Sequence, residues 1–214
     1  MSEARLRDDV CFWAASIFQR GLTGGASGNV SVRTEDGGLL VTPTGASMGR
    51  LDPARLSRFD GAGRHVDGDP PTKEMPLHSA FYETRRSAGA VVHLHSMHSV
   101  ALSMLPDTDP DDALPPLTAY AIMRVGKVAL LPFFVPGDPA TADAVRGLAG
   151  RRAAVLLANH GPVVAAKDLE GAVFAMEELE ETARLALLLR GTGARPLDAA
   201  QIDAVVRRFD LEWD

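Results

Sequence analysis

Hydrophobic side chains recur at three- and four-residue intervals in several segments of the chain, the spacing that gathers them on one face of an α-helix. The strongest pattern covers residues 168–190 and ends at Gly191, a residue suited to a left-handed C-terminal cap. The same spacing opens the chain and ends at Gly21. Further helices are predicted over residues 74–86, 99–105, 138–150 and 198–209.

Shorter apolar segments between turn residues predict β-strands. Residues 29–33 and 38–42 form a predicted hairpin, and a turn at residues 60–63 joins two shorter extended pieces. Compact strands are predicted over residues 90–95, 128–131, 153–158 and 163–165. We find no internal repeat, low-complexity tract or domain boundary, so residues 1–214 are predicted to form one α/β domain.

The composition agrees with this prediction and disfavours one large class of protein. Of the 214 residues, 46% are hydrophobic and 23% are charged, which is ordinary for a globular domain. A formal net charge of −6 argues against a general nucleic-acid-binding protein, because such proteins need a dense basic surface. An anionic small substrate would therefore need a local basic or amide-lined pocket.

The N-terminus and the single cysteine indicate a cytoplasmic protein. The first ten residues are charged and lack the apolar run of a secretory signal. Apolar runs stay well short of the roughly 20 residues that span a bilayer, so membrane insertion is not expected. Cys11 has no partner for an internal disulfide and lies among hydrophobic residues, where a small buried side chain is expected.

Three histidines lie in or just after predicted strands and are candidates to bind a metal ion. His93 and His95 would share one face of a strand, with Cα atoms about 6.5 Å apart. Taken alone, the pair is equally well explained as two structural histidines whose hydrogen-bonding groups are paired at the end of a strand. His160 follows the predicted strand 153–158 and supplies a third imidazole, and three neutral imidazoles with one open position form a known catalytic zinc arrangement.

The remaining histidines and an acidic run are assigned structural or surface positions. His65 lies in a predicted hairpin, while His78 and His98 lie on helical faces. His98 is the first substitute if one of the three proposed ligands is wrong. The four glutamates between residues 177 and 181 fall largely on the polar side of the long predicted helix, which indicates a solvated surface.

Two loops rich in glycine and hydroxyl residues are candidates to bind phosphate oxygens. They cover residues 24–29, with Ser27 and Asn29, and residues 42–47, with Thr44 and Gly45. Ordinary turns are the alternative for each loop, and neither matches the P-loop pattern.

Thr72, Lys73 and Glu74 place a hydroxyl, a cation and a carboxylate together at the start of the predicted helix 74–86. Without further context, routine capping of the helix is the simpler explanation of this group.

Five short motifs, taken in order, resemble the class II aldolase/adducin family over nearly the whole chain, from about residue 5 to residue 190. The motifs are Ser27-Gly28-Asn29-Val30-Ser31, Thr42-Pro43-Thr44-Gly45, Lys73-Glu74, His93-Leu94-His95 and Asn159-His160-Gly161. The resemblance implies a three-layer α/β/α sandwich around a central, largely antiparallel sheet. It also implies a divalent metal ion, with Zn²⁺ expected, and a homotetramer with active sites between subunits.

Carried over residue by residue, the resemblance implies a role for each motif. The implied metal ligands are His93, His95 and His160, and Glu74 is the implied catalytic acid/base. Tyr120 is the implied catalytic tyrosine that reaches a neighbouring subunit's site. The implied phosphate and substrate pocket contains Ser27, Asn29, Thr44, Gly45, Thr72 and Lys73.

One departure from the aldolase pattern bears on the substrate. Fuculose-phosphate aldolases carry a serine pair before the glutamate, whereas this chain has Thr72-Lys73. Residues 70–78 and 105–116 are instead most similar to the family members that decarboxylate 3-oxo-tetronate 4-phosphate to dihydroxyacetone phosphate and carbon dioxide. The added cation of Lys73 suits that substrate, a phosphorylated four-carbon sugar acid that is more anionic than a sugar phosphate.

The implied reaction is a metal-dependent decarboxylation through a metal-bound enediolate, in which Glu74 or a water it orients protonates C2. That task favours a carboxyl whose pKa is raised by partial burial. A sugar-phosphate aldolase of the fuculose-phosphate type or a ribulose-phosphate 4-epimerase is the second hypothesis, because an aldolase forms the same enediolate. A non-catalytic, adducin-like interaction module is the third, although it would have no reason to keep three ligands and an acid together.

Overall fold

A mixed sheet of eight strands forms the centre of the protein in the computed structural model, which describes residues 2–213. The strands are β1 Asn29–Arg33, β2 Leu39–Val41, β3 Ser57–Phe59, β4 His65–Asp67, β5 Ala90–His93, β6 Val128–Leu131, β7 Ala154–Leu157 and β8 Gly161–Ala166. Their spatial order is β4-β3-β2-β1-β5-β8-β7-β6. All neighbours are antiparallel except β6 and β7, which confirms the prediction of a largely antiparallel sheet.

Helices cover both faces of this sheet, as the alternation of buried side chains along the strands requires. They are α1 Glu3–Gln19, α2 Met75–Thr84, α3 Met97–Ser103, α4 Ala119–Arg124, α5 Pro139–Gly147, α6 Leu169–Leu189 and α7 Ala199–Phe209. On β5, Val92 packs into the hydrophobic cluster that contains α1 and α6. Its neighbour Val91 packs into the second cluster, which contains α2 and α5. The α/β/α sandwich is therefore confirmed.

Short polar side chains start several of the predicted helices. Asp138, Asp168 and Asp198 each accept a hydrogen bond from a backbone N–H in the first turn of α5, α6 and α7. Such caps satisfy N–H groups that have no partner within the helix. Among residues 2–213 no helix has the length and apolar character needed to cross a membrane.

Two elements differ from the sequence-based expectation. The strand predicted over residues 90–95 ends at His93, so His95 lies in the following loop and does not share a strand face with His93. The chain turns there because pairing with β1 and β8 stops at His93, apart from one hydrogen bond from Leu94 N to Pro162 O. The short helix α4 had no predicted counterpart, since its six residues are too few for a clear hydrophobic period.

Candidate metal centre and substrate site

Three imidazoles and one carboxylate converge where β5 ends and β7 turns into β8. His160 Nε2 lies 3.4 Å from His93 Nε2 and 3.1 Å from His95 Nε2. The carboxylate of Glu74 lies 3.4 Å from His93 Nε2 and 3.5 Å from His160 Nε2. One ligand atom from each of these four residues lies within 4.8 Å of all the others. The structure thus brings the three proposed ligands and the proposed acid/base into one cluster.

A close backbone contact holds the two ligand-bearing loops together. A Cβ atom at Gly161 would lie 2.2 Å from Leu94 O and 3.2 Å from the Cα of His95. Any side chain at that position would therefore force the loop of His160 away from the loop of His95. Asn159 adopts a left-handed conformation with φ of 57°, which completes the tight turn between β7 and β8.

Hydrogen bonding of His93 and burial of His93 and His95 favour the imidazole form that binds a metal. The Nδ1–H of His93 donates to Pro162 O over 2.8 Å, so its Nε2 carries a free lone pair directed at the cluster. Burial lowers the pKa of His93 to about 4. Burial and the nearby His160 also lower the pKa of His95. Neutral imidazole is the ligand form of histidine.

The spacing of the three nitrogens fits a tetrahedral ion. Zinc–nitrogen bonds of about 2.0–2.1 Å at tetrahedral angles hold neighbouring nitrogens about 3.3–3.4 Å apart. His160 Nε2 lies 3.1 Å from His95 Nε2 and 3.4 Å from His93 Nε2, close to that distance. Three imidazole nitrogens and a carboxylate at this spacing form a donor set that fits a divalent metal.

Glu74 is held from two sides at the start of α2. The Nδ2 amide of Asn29 donates to Glu74 Oε2 over 2.7 Å, and Thr72 Oγ1 accepts a hydrogen bond from Glu74 N over 3.2 Å. Burial acts to raise the pKa of Glu74, but attraction to His93 in its protonated form and the hydrogen bond from Asn29 outweigh it. The pKa therefore lies below the usual value, and the expectation of a raised pKa is wrong for this structure.

Glu180 is buried, so the prediction of a solvated surface for the acidic run is wrong at this residue. It is 5% exposed, and its carboxylate accepts hydrogen bonds from His98 N, His98 Nδ1, Ser99 N and Ser99 Oγ at 2.5–2.9 Å. Glu180 thereby fixes the first turn of α3 at His98 and Ser99, three and four residues after His95. His98 Nδ1 binds Glu180, and the cluster of possible metal ligands does not include His98.

The other end of α3 is tied to the second ligand loop. Ser103 Oγ accepts a hydrogen bond from Asn159 N over 3.0 Å, next to His160. Because Glu180 binds the start of the same helix, contacts at the two ends of α3 fix the loop that carries His95 and the loop that carries His160.

The residues proposed for the phosphate pocket occupy neighbouring loops. Thr44 N donates to Pro70 O, and Thr72 N donates to Thr42 O, so residues 42–47 lie beside the segment that precedes Glu74. Thr44 and Gly45 are exposed and line a surface depression of about 240 Å³. Ser27 lies in the adjacent loop, where its hydroxyl donates to Gly24 O over 2.6 Å.

Lys73 and Tyr120 are both exposed. No carboxylate pairs with Lys73 among the residues that the structure describes. Tyr120 is 57% exposed on α4, and the guanidinium of Arg124 lies 5.9 Å from its ring centre. The four-residue cluster around the histidines does not include Tyr120, whose proposed contact is with a neighbouring subunit.

One residue that contacts the site was assigned only a structural position from the sequence. His78 is fully buried and its Nε2 lies 2.5 Å from Asn29 Oδ1, directly behind the amide that binds Glu74. The available signal was its spacing, because His78 follows Glu74 by four residues and so shares its side of the helix.

Comparisons with known proteins agree with this geometry. The sequence profile described as Class II Aldolase and Adducin N-terminal domain matches residues 8–187. The chain is 45% identical to a 3-oxo-tetronate 4-phosphate decarboxylase from Cupriavidus necator, over 99% of each protein. It is 35% identical to an L-fuculose phosphate aldolase from Escherichia coli, over 86% of this chain and 82% of the aldolase. Among solved structures, YgbL from Escherichia coli superposes with a TM-score of 0.92 at 44% identity, covering 95% of this chain and 98% of YgbL.

Proposed function

The chain belongs to the class II aldolase and adducin family, and we propose that it is a carbon–carbon lyase that decarboxylates 3-oxo-tetronate 4-phosphate to dihydroxyacetone phosphate and carbon dioxide. The observation that carries this proposal is the 45% identity to a decarboxylase of that name along essentially the full length of both proteins. Identity to the L-fuculose phosphate aldolase is lower, at 35%. A lyase of this family uses a divalent metal in either case.

The proposed metal ligands are His93, His95 and His160, and the proposed ion is Zn²⁺. Their convergent nitrogens and the second hydrogen bond of His93 support this assignment. A divalent ion bound there supplies a Lewis acid that withdraws electron density from substrate oxygens.

The proposed roles of the surrounding residues follow from their chemistry. The exposed ammonium of Lys73 is free to bind the carboxylate of the substrate. Hydroxyls and amides at Ser27, Asn29, Thr44, Gly45 and Thr72 are proposed to bind its phosphate. Loss of C1 as carbon dioxide leaves the electrons of the C1–C2 bond on the substrate as an enediolate. A water that Glu74 orients, or Glu74 after it has taken a proton from solvent, then delivers a proton to C2 and completes dihydroxyacetone phosphate.

Aldol cleavage of a sugar phosphate is the second candidate, because it needs the same electron withdrawal and the same proton transfer. The identity to the L-fuculose phosphate aldolase supports it. Product analysis separates the two reactions: the purified enzyme is incubated with a panel of 3-oxo acid phosphates and of ketose 1-phosphates. We expect carbon dioxide and dihydroxyacetone phosphate from the four-carbon acid. Cleavage of fuculose- or ribulose-type phosphates without carbon dioxide from any acid would replace the decarboxylase assignment with an aldolase.

We further propose a cytoplasmic homotetramer in which Tyr120 reaches the site of a neighbouring subunit. The exposure of its ring on α4 supports a contact beyond its own chain. Light scattering would give the mass of the assembly. Mixing a Tyr120→Phe variant with a Glu74→Gln variant would restore part of the activity only if the two residues act across an interface.

A further inference from the structure

Helix α2 lies along β1 so that polar side chains of the two elements meet at regular steps. Four residues of a helix rise about 6 Å, and two residues of a strand rise about 6.6–6.8 Å. Every fourth residue of the helix therefore lies beside every second residue of the strand. The residues at these positions are Glu74, His78 and Tyr82 of the helix side and Asn29, Ser31 and Arg33 of the strand.

These side chains form one continuous chain of hydrogen bonds that begins at Glu74. Asn29 Nδ2 binds Glu74 Oε2 at 2.7 Å, and Asn29 Oδ1 lies 2.5 Å from His78 Nε2. On the far side of the ring, His78 Nδ1 lies 2.7 Å from Ser31 Oγ. The hydroxyl of Tyr82 donates to Ser31 O over 2.9 Å. Asn29, Ser31, His78 and Tyr82 are all buried, so water does not compete for these contacts.

The chemistry of the groups gives this chain one direction. An ionised carboxylate only accepts hydrogen bonds, so the nitrogen of the Asn29 amide must face Glu74. The oxygen of that amide then faces His78, whose Nε2 must carry the proton. The Nδ1 of His78 therefore accepts from the hydroxyl of Ser31. Burial lowers the pKa of His78 to about 3, in agreement with a neutral ring that has one donor and one acceptor.

We propose that His78 is a positioning residue for Glu74, acting by fixing the orientation of the Asn29 amide. This inference rests on the proposed role of Glu74 as the acid/base. The Nε2–H of His78 donates to Asn29 Oδ1 and keeps that oxygen away from the Glu74 carboxylate. The Nδ2–H of Asn29 then stays directed at the carboxylate. Without that donor the amide oxygen loses its partner, and only the bond to Glu74 opposes the rotated form, which places the oxygen against the carboxylate where the two groups repel.

Two substitutions of similar polarity and different reach test this role. In His78→Gln, the side-chain amide nitrogen extends about as far as the Nε2 of histidine and still donates to Asn29 Oδ1. In His78→Asn, the amide reaches only the Ser31 side and leaves Asn29 without its donor. We expect kcat within about threefold of wild type for His78→Gln and a loss of roughly 10–100-fold for His78→Asn, the scale found for residues that orient groups at a metal site. Bound metal should be unchanged in both.

Tyr82→Phe is the matched control, because it removes a hydrogen bond from the same buried chain but leaves the contact between His78 and Asn29. A purely structural network predicts that kcat falls with melting temperature in all three variants alike. Equal kcat values for His78→Gln and His78→Asn would overturn the proposal.

A second measurement needs no catalytic activity. Long-range ¹H–¹⁵N spectra of the histidine-labelled enzyme should show His78 as the neutral Nε2–H tautomer, and the Nδ1–H tautomer would contradict the proposal. If the wild type releases no carbon dioxide from any 3-oxo acid phosphate, the proposed function fails by itself. The tautomer, and the same comparison of variants with an aldol substrate, would still decide the part played by His78.

Discussion

Asn29 of β1 and His93 of β5 are directly opposite each other in the antiparallel pair, so a single strand register sets two sides of the candidate site. Asn29 points to Glu74 and His93 points to the other imidazoles. A shift of one residue would turn either side chain to the opposite face of the sheet. The candidate metal cluster and the position of the proposed acid/base therefore depend on the same strand register.

The three-imidazole site leads to the first prediction. His93→Ala, His95→Ala and His160→Ala should each lose most of the bound metal and the activity, because two imidazoles bind a divalent ion much more weakly than three. Metal content by mass spectrometry, with circular dichroism to check folding, measures this. His98→Ala is the control and should retain stoichiometric metal. Full metal retention by the His160 variant would remove that residue from the ligand set.

Replacement of the proposed acid/base gives the second prediction. Glu74→Gln preserves the shape of the side chain but removes its capacity to take up and deliver a proton. Turnover should fall by roughly 100-fold or more while the metal is retained. Glu83→Gln, on the exposed face of the same helix, should turn over at nearly the wild-type rate. Near-normal turnover in the Glu74 variant would assign the proton transfer to another group.

Lys73 distinguishes the proposed substrate, which carries a carboxylate as well as a phosphate, from a sugar phosphate. If its ammonium binds the substrate carboxylate, Lys73→Ser should lower kcat/KM for a 3-oxo-tetronate 4-phosphate by about 2 kcal/mol, or roughly 30-fold, as for a hydrogen bond to a charged group. Metal content should not change. Lys167→Ser is the matched control, since Lys167 is also exposed and lies beyond the end of β8. An equally small effect of both substitutions would make Lys73 an ordinary surface residue.

The residues differ in how far their positions could be predicted from sequence. Helix α6 was predictable because its apolar positions keep one period over 21 residues and Asp168 caps its start. The four residues of the candidate metal cluster were predictable, because each lies in one of the short sequence motifs. The burial of Glu180 was not, because it depends on unpaired N–H groups of α3, which is remote in sequence. His78 was missed for the same reason, as its partner Asn29 lies on a different element.

Asp112 gives a prediction for the pH dependence of stability. Burial raises the pKa of its carboxyl to about 6, above the ordinary value of 3.8. Between these two values of pH the folded protein therefore binds more protons than the unfolded protein does. Above pH 6 the ionised carboxylate destabilises the folded state. Asp112→Asn should raise the melting temperature at pH 7.5, and the gain should shrink as the pH falls from 6 towards 4. Asp111→Asn, at the exposed neighbouring position, should show neither effect.

Glu180 should contribute both to stability and to metal affinity, because its carboxylate holds the start of the helix that follows His95. In Glu180→Gln, an amide NH₂ replaces one of the two carboxylate oxygens. The backbone N–H groups of Ser99 and His98 can only donate, so at least one of these two groups is left unpaired. We expect a loss of about 1.5–3 kcal/mol in the free energy of unfolding at pH 7 and a roughly tenfold weaker metal affinity.

The pH dependence of this loss separates it from a general packing defect. Burial acts to raise the pKa of Glu180, but hydrogen bonds from Ser99 and His98 outweigh it and hold the pKa below the ordinary value of 4.5. A carboxyl with a lowered pKa stabilises the folded state above its unfolded pKa and loses that contribution as the pH falls through its folded pKa. The difference in unfolding free energy between wild type and Glu180→Gln should thus be constant near neutrality and narrow below about pH 4.5.

Glu181→Gln, which alters an exposed ion pair with Arg184, should change stability by less than about 1 kcal/mol. A loss in the Glu180 variant that stays constant down to pH 3 would show that the carboxylate charge does not hold α3.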